Sequence, residues 1–299
     1  MKRVLLIYNP GAGNGVIKSL LDDIIYRFTE EGMLVVPYRI GGSMSIGQIL
    51  DELKVNEYHK IIAAGGDGTV NLVVNEMIRR DVVIPLAIFP TGTANDLAST
   101  LGIPQTIEGM ISTALSESYI KADVGKANDR YFINVLAIGM LVDVSQRTDP
   151  MIKNTLGLGA YYLRSLAEIP FARASRIKIT CKELTLDEKM SAVLVMNGRT
   201  AGGFKEVSPL SDVGDGLLDV LVVRKLILPT MLPALLSVLT GYHTRDKRFE
   251  YFRTDRLRIE SPEGTVINTD TDGEKGDPLP LDIEVLPGRL LLNSLSISD

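Results

Sequence analysis

The chain has a single cysteine, Cys181, among its 299 residues. An internal disulfide is therefore excluded, and the composition suits a reducing compartment. A basic excess is missing as well: 32 Lys and Arg stand against 37 Asp and Glu, a formal charge of −5. Broad nucleic-acid binding needs a basic footprint, so that class of partner is set aside. No stretch supplies the roughly 20 apolar residues that a membrane-spanning helix needs. The apolar start, Met1 to Tyr8, runs straight into Asn9-Pro10-Gly11. It is too short for a signal peptide and reads as a first β-strand. There is no low-complexity tract and no internal repeat. Histidine is scarce: His59 and His243 fall outside every motif and read as surface residues rather than catalysts. What remains is 45% hydrophobic and 23% charged, an ordinary globular composition in a chain long enough for two domains.

The most informative stretch is Gly65-Gly66-Asp67-Gly68-Thr69. It follows the apolar run Lys60–Ala64 and precedes an apolar-periodic segment from Val70 to Ile78, which is a strand, a glycine-rich turn and a helix. Glycines let backbone N–H groups approach a ligand closely, and the helix adds unpaired N–H groups and the positive end of its dipole. A carboxylate among them repels bare phosphate unless a divalent cation intervenes. The turn therefore predicts a site for a nucleotide phosphate with Mg²⁺.

The first 120 or so residues alternate strand and helix. Strands are expected at Val4–Tyr8, Met33–Ile40, Lys60–Ala64 and Pro85–Phe89. The helices between and after them are expected from Ile17 to Phe28, at Ile46–Leu53, from Val70, at Asp96–Leu101 and at Thr106–Ser116. Apolar strands joined by helices predict a doubly wound parallel sheet, with ligands at the carboxyl ends of its strands. Near residue 120 the pattern turns β-rich. A hairpin is expected from Tyr119–Lys126 and Arg130–Ile138, then strands at Arg176–Cys181, Ser191–Asn197, Leu217–Val223, Arg256–Glu260, Thr265–Asn268 and Leu281–Val285. Helical segments are expected near Lys153–Glu168 and Pro229–Thr240. The fold class is thus α/β. A nucleotide-binding domain over residues 1–122, to which 288–299 return, is joined to a β-rich, sandwich-like domain over 123–287, with the active site expected in the cleft between them.

A second turn, Pro90-Thr91-Gly92-Thr93-Ala94-Asn95-Asp96, follows the Pro85–Phe89 strand and should share a sheet edge with Asp67. Alone it is explained as well by a helix cap; two such turns on consecutive strands are far more specific. Together they make the chain resemble the diacylglycerol kinase catalytic domain, in particular the bacterial soluble lipid kinases, which also resemble sphingosine kinases. The resemblance runs over essentially the whole chain. It begins at Asn9-Pro10-Gly11-Ala12-Gly13 and passes through Asn197–Gly203 and Asp215-Gly216-Leu217-Leu218-Asp219-Val220 to Asp272-Gly273-Glu274.

The resemblance implies an ATP- and Mg²⁺-dependent lipid kinase acting on a diacylglycerol-like alcohol. It implies a cytoplasmic protein, peripheral at the inner membrane surface, and leaves a homodimer open. ATP would be surrounded by Asn9, Pro10, Gly11, Ala12 and Gly13, by Ile40, by Gly65, Gly66, Asp67, Gly68, Thr69, Val70, Asn71 and Leu72, and by Thr93, Asn95 and Asp96. Asp67 and Asp96 would lie near its Mg²⁺. A second Mg²⁺ is implied at Asp215, with backbone carbonyls from Asp212 and Leu217. The Asp272-Gly273-Glu274 turn would supply the general base, Glu274 with Asp272 as its partner or the reverse. Read without the resemblance, the same turn is a solvated acidic loop.

Three positions depart from the family's habit. Leu72 stands where an acidic residue is common, Ile40 where a nucleotide-contacting Thr is frequent, and Asn14 where a basic residue is common. Leu72 also falls opposite the apolar stripe of its helix. A catalytically impaired nucleotide- or lipid-binding relative is therefore one alternative reading. An NAD kinase, which shares a Gly-Gly-Asp-Gly-Thr turn, is another. A Rossmann dehydrogenase is disfavoured, because Gly11-Ala12-Gly13-Asn14-Gly15 lacks the third glycine at the required spacing. The apolar segment Leu226–Leu239, flanked by Arg224, Lys225, His243, Arg245, Lys247 and Arg248, reads either as a buried helix or as a segment that dips into an anionic membrane surface.

Overall fold

The protein is seen in a computed structural model that describes residues 1–140, 142, 174–201 and 207–294. The helix expected over Lys153–Glu168 lies outside the described residues, as do Gly202 and Gly203. The chain divides into two compact units, Met1–Asp123 with Pro287–Asp299, and Val124–Leu286.

In the first unit the strands are β1 (Lys2–Tyr8), β2 (Met33–Arg39), β3 (Lys60–Gly65) and β4 (Leu86–Pro90). They pair in parallel in the order β2-β1-β3-β4. Beyond β4, Leu292 of the last strand, β15 (Leu281–Asn293), pairs with Leu86. Every residue of β3 and β4 is buried, as parallel strands covered on both faces require. Helix α1 (Val16–Glu30) buries Ile17, Leu20, Ile24 and Phe28, one stripe at helical spacing, against Val4, Leu6, Ile62 and Phe89. Helices α2 (Ile46–Glu52), α3 (Asp67–Arg79), α4 (Asp96–Thr100) and α5 (Ile107–Leu115) complete the unit. Ser45 and Gln48 form a reciprocal capping box on α2, and Thr106 caps α5. The order 2-1-3-4 places the topological switch point between β1 and β3, where doubly wound sheets open a crevice at their carboxyl ends.

The second unit is antiparallel. Strand β5 (Tyr119–Ala127) enters it and turns at Asn128 into β6 (Arg130–Phe132). Next come β7 (Val135–Gly139), β8 (Ser175–Cys181), β9 (Thr185–Met196), β10 (Leu218–Arg224), β11 (Phe249–Thr254), β12 (Arg256–Glu260), β13 (Thr269–Thr271) and β14 (Glu274–Lys275). Long β9 organises the unit, pairing with β8, β7 and β10. Its residues alternate between two cores. Val193 and Val195 join Phe132, Leu136, Ile177, Val220, Leu257 and Ile283, whereas Ala192 and Met196 join Leu221, Phe249 and helix α6 (Leu228–Leu239).

Several expectations are corrected here. Helix α3 begins at Asp67, not Val70, with Gly66 as its N-cap. Thr69 therefore lies inside the first turn of the helix and not before it. The arm expected over Arg130–Ile138 breaks at Ile133 and Asn134, because their N–H groups turn to a carboxylate instead of a strand partner. Thr265–Asn268 is irregular, and the strand is Thr269–Thr271. His243 is fully buried rather than at the surface, its ring bonded to the Val207 carbonyl at 2.8 Å.

Candidate active site

Three turns meet at the carboxyl ends of β1, β3 and β4. The Asn9 side chain accepts the Gly11 N–H at 2.9 Å, folding the turn after β1, and donates to the Thr69 hydroxyl at 3.3 Å. The Thr91 N–H donates to the Gly65 carbonyl at 3.0 Å, which ties the third turn to the second. Backbone touches backbone at two glycines. A Cβ on Gly92 would fall 2.3 Å from the Gly66 Cα, and one on Gly13, whose φ is +52°, would fall 1.9 Å from the Thr91 carbonyl oxygen. No other residue type fits these two positions without moving a turn. Ile40, just past β2, donates its N–H to the Tyr8 carbonyl at 2.9 Å and so belongs to the same edge. Thr93 is exposed, while Asn95 and Asp96 are buried.

Asp67 ties the arrangement together. Its two carboxylate oxygens accept the N–H groups of Asn95 at 2.8 Å and Asp96 at 2.7 Å, so the first residue of α3 caps the start of α4. Asn95 holds a left-handed backbone, φ +53°, and its side-chain amide brackets Gly92, accepting its N–H and donating to its carbonyl, each at 2.9 Å. Burial pushes the Asp67 carboxyl above its ordinary range, with the backbone N–H groups pulling the other way.

A nucleotide phosphate fits here on three observations. No side chain caps α3. A Cβ on Gly68 would meet nothing within 4 Å, so the first turn of α3 is open at that point. The Thr91 hydroxyl is buried without a hydrogen-bond partner among the described residues. Among those residues no group of three or more His, Cys, Asp or Glu could hold a metal ion. Mg²⁺ that arrives with phosphates needs only one or two protein carboxylates, and Asp67 and Asp96 supply that number.

In the second unit, β13 and β14 form a tight hairpin whose central residues, Asp272 and Gly273, have φ of +51° and +88°. Asp-Gly is the dipeptide that a two-residue turn with positive φ at both positions favours. Asp272 is buried, and its carboxylate accepts the N–H groups of Ile133 at 2.7 Å, Asn134 at 3.0 Å and Val135 at 2.8 Å. Asp270 accepts the Gly273 N–H at 2.7 Å. Glu274, two residues past Asp272, is exposed. Of the two candidate bases, only Glu274 has a carboxylate that these backbone bonds leave available.

The implied second Mg²⁺ position joins the Asp215 carboxylate to the backbone carbonyls of Asp212 and Leu217. The Asp215 carboxylate accepts the Leu217 N–H at 3.0 Å and the Arg253 guanidinium, and Asp212 accepts the Gly214 N–H at 3.1 Å. Arg253 is also 3.4 Å from the fully buried Asp219 carboxylate, its register partner across β10 and β11. Burial pushes that carboxyl up, while the Tyr251 hydroxyl and Arg253 counter the shift. The Arg253 guanidinium thus bridges the carboxylates of Asp215 and Asp219. Sequence reasoning missed Thr91, for which the turn motif was the available signal. It also missed Arg253, which carries no motif and sits on a strand that was not anticipated.

The fold defines the first unit as a doubly wound α/β unit whose turns after β1, β3 and β4 gather at one sheet edge. A family model for the diacylglycerol kinase catalytic domain matches residues 3–127. A model for the YegS C-terminal NAD kinase beta sandwich-like domain matches residues 134–294. The chain is 31% identical to the diacylglycerol kinase of Bacillus subtilis strain 168, over 94% of this chain and 92% of that one. It is 30% identical to the diacylglycerol kinase of Staphylococcus aureus strain Newman, over 93% and 88%. A crystal structure of a diacylglycerol kinase from Bacillus anthracis strain Sterne superposes with a TM-score of 0.80 at 28% identity, covering 99% of this chain and 98% of that one. The chain belongs to the diacylglycerol kinase family, and with it to the lipid kinases.

Proposed function

We propose that the chain transfers the γ-phosphoryl group of ATP, with Mg²⁺, to the hydroxyl of a diacylglycerol-like lipid. The observation that carries this reading is the convergence of three glycine-bearing turns at one sheet edge, locked by Asp67, in a member of this family. Bound ATP supplies the phosphoryl group, and its Mg²⁺ spreads and neutralises the developing charge. The Asn9–Gly13 turn and the start of α3, from Gly66 to Leu72, hold the phosphates through backbone N–H groups. Thr69 is kept in register by Asn9. Ile40, Asn95 and the Thr93 hydroxyl flank them, and Asp67 and Asp96 bear on the cation.

Asp67 is first a positioning residue, because its carboxylate fixes where the Asn95–Asp96 backbone lies. Glu274 removes the proton from the acceptor hydroxyl as general base, within hydrogen-bond reach. Asp272 positions it by anchoring the hairpin to the Ile133–Val135 backbone. A lipid acceptor requires peripheral contact with a membrane, and we place the reaction at the inner membrane surface facing the cytoplasm. No helix among the described residues is long and apolar enough to cross a membrane.

The test is γ-labelled ATP and Mg²⁺ offered to diacylglycerol in mixed micelles, with NAD in a parallel tube. Labelled phosphatidate, lost in Asp67→Ala and Glu274→Gln, is the expected result. Label in NAD, or bound nucleotide without any product, overturns it.

A further inference from the structure

Helix α6 has one side in the core and one side in solvent, and both are apolar. Met231, Ala234 and Val238 pack into the core built on Met196, Leu221 and Phe249. Leu232, Leu236 and Leu239 recur at i, i+4 and i+7 on the other side, with Ile227 before them and Tyr242 after. These five side chains are between 47% and 59% exposed. A surface helix ordinarily places charge on such a face, yet no Asp, Glu, Lys or Arg occurs between Leu226 and His243.

Charge gathers at the two ends instead. Lys225 precedes the helix, and Arg245 and Lys247 follow it; all three are exposed, and none is in an ion pair among the described residues. Asp246, the sole acid between Lys225 and Arg248, is held by Arg248. In a chain of net charge −5 this is a local reversal of sign.

We propose that this face of α6, with its basic ends, docks on an anionic lipid surface. The leucine stripe enters the boundary between headgroups and acyl chains, and Lys225, Arg245 and Lys247 rest on the headgroups. At ~1.5 Å per residue a helix of this size is about 18 Å long, short of the ~30 Å hydrocarbon core, so it lies on the membrane. A second copy of the chain is a poorer occupant. Pairing two such faces in either direction sets basic ends against basic ends. The docking surface stands on these residues alone; only its purpose, access to a membrane-resident acceptor, rests on the lipid kinase reading.

The experiment is co-sedimentation of the full chain, without ATP, with vesicles of phosphatidylglycerol and phosphatidylcholine and with vesicles of phosphatidylcholine alone. Salt-sensitive binding to the first, and weak binding to the second, is expected. The triple variant Leu232→Ser/Leu236→Ser/Leu239→Ser should lose more than ~10-fold in vesicle partitioning with its melting temperature unchanged. Lys225→Gln/Arg245→Gln/Lys247→Gln should lose several-fold for each charge and abolish the preference for anionic vesicles. The proposal falls if the wild type ignores anionic vesicles or the serine variant binds like wild type. It falls equally if serine unfolds the protein, which means the chain itself covers the face, or turns a wild-type dimer into a monomer. Phosphorylation of a soluble short-chain diacylglycerol, measured alongside, separates the two readings. Vesicle binding without that activity removes the kinase and leaves the surface, and activity without vesicle binding does the converse.

Discussion

Each unit carries one signature aspartate, and both spend their carboxylates on backbone N–H groups. Asp67 accepts two, from Asn95 and Asp96, and stays partly open to solvent at the turn edge. Asp272 accepts three, from Ile133, Asn134 and Val135, and is buried. The difference lies in what is left over. A partly open carboxylate with two donors can still face a cation arriving with phosphate, whereas a buried one with three donors is fixed in place. In the proposed reaction Asp67 therefore both positions and takes part, while Asp272 only positions and the chemistry of its turn passes to Glu274.

The comparison breaks first, if it breaks, at Asp272→Ala. Three buried N–H groups would lose their acceptor, and the loss should be about 3–6 kcal/mol in urea denaturation. Asp67→Ala should cost less, about 1–3 kcal/mol, because two donors rather than three lose their acceptor and the Asp67 position is partly open to solvent, while phosphoryl transfer disappears. If the two losses are equal, burial is not what separates these residues.

Titration sharpens the contrast between the units. Burial holds the His243 imidazole below its ordinary value of 6.5. An unfolded chain takes the proton first as the pH falls, so stability should drop progressively below pH 6.5. Burial lowers Lys60 of the first unit from 10.5 to about 8, so stability should likewise rise with pH, across that higher interval. Denaturation of His243→Gln and Lys60→Met across pH should flatten the acid and the alkaline slope respectively. The smallest stability effect belongs to Glu274→Gln, within ~0.5 kcal/mol for an exposed side chain.

The two units also differed in how far they could be read from sequence. In the first, each strand is followed at once by its turn and helix, so the Gly65–Thr69 and Pro90–Asp96 motifs carried their own context. What escaped was the exact helix start: Asp67 is already helical, because its side chain caps another helix instead of its own. In the second unit the decisive contacts join distant residues. The partners of Asp272 lie more than 130 positions earlier, and nothing in Arg130–Ile138 announces the break that they cause. Thr265–Asn268 has the β-branched composition of a strand, yet pairing starts four residues later, where the hairpin register is fixed. The sequence around His243 is polar, so its burial against Phe249 and Val207 left no local sign.

The division of labour between Asp272 and Glu274 is tested most directly by one paired measurement. Asp272→Asn and Glu274→Gln are each assayed for denaturation midpoint and for single-turnover transfer from labelled ATP to diacylglycerol. Glu274→Gln should keep the wild-type midpoint and lose at least ~10²-fold in transfer rate. Asp272→Asn should shift the midpoint far more, with whatever folded protein remains retaining a larger share of the rate. The reverse pattern, in which Glu274→Gln turns over normally and Asp272→Asn is stable but inert, would contradict the account.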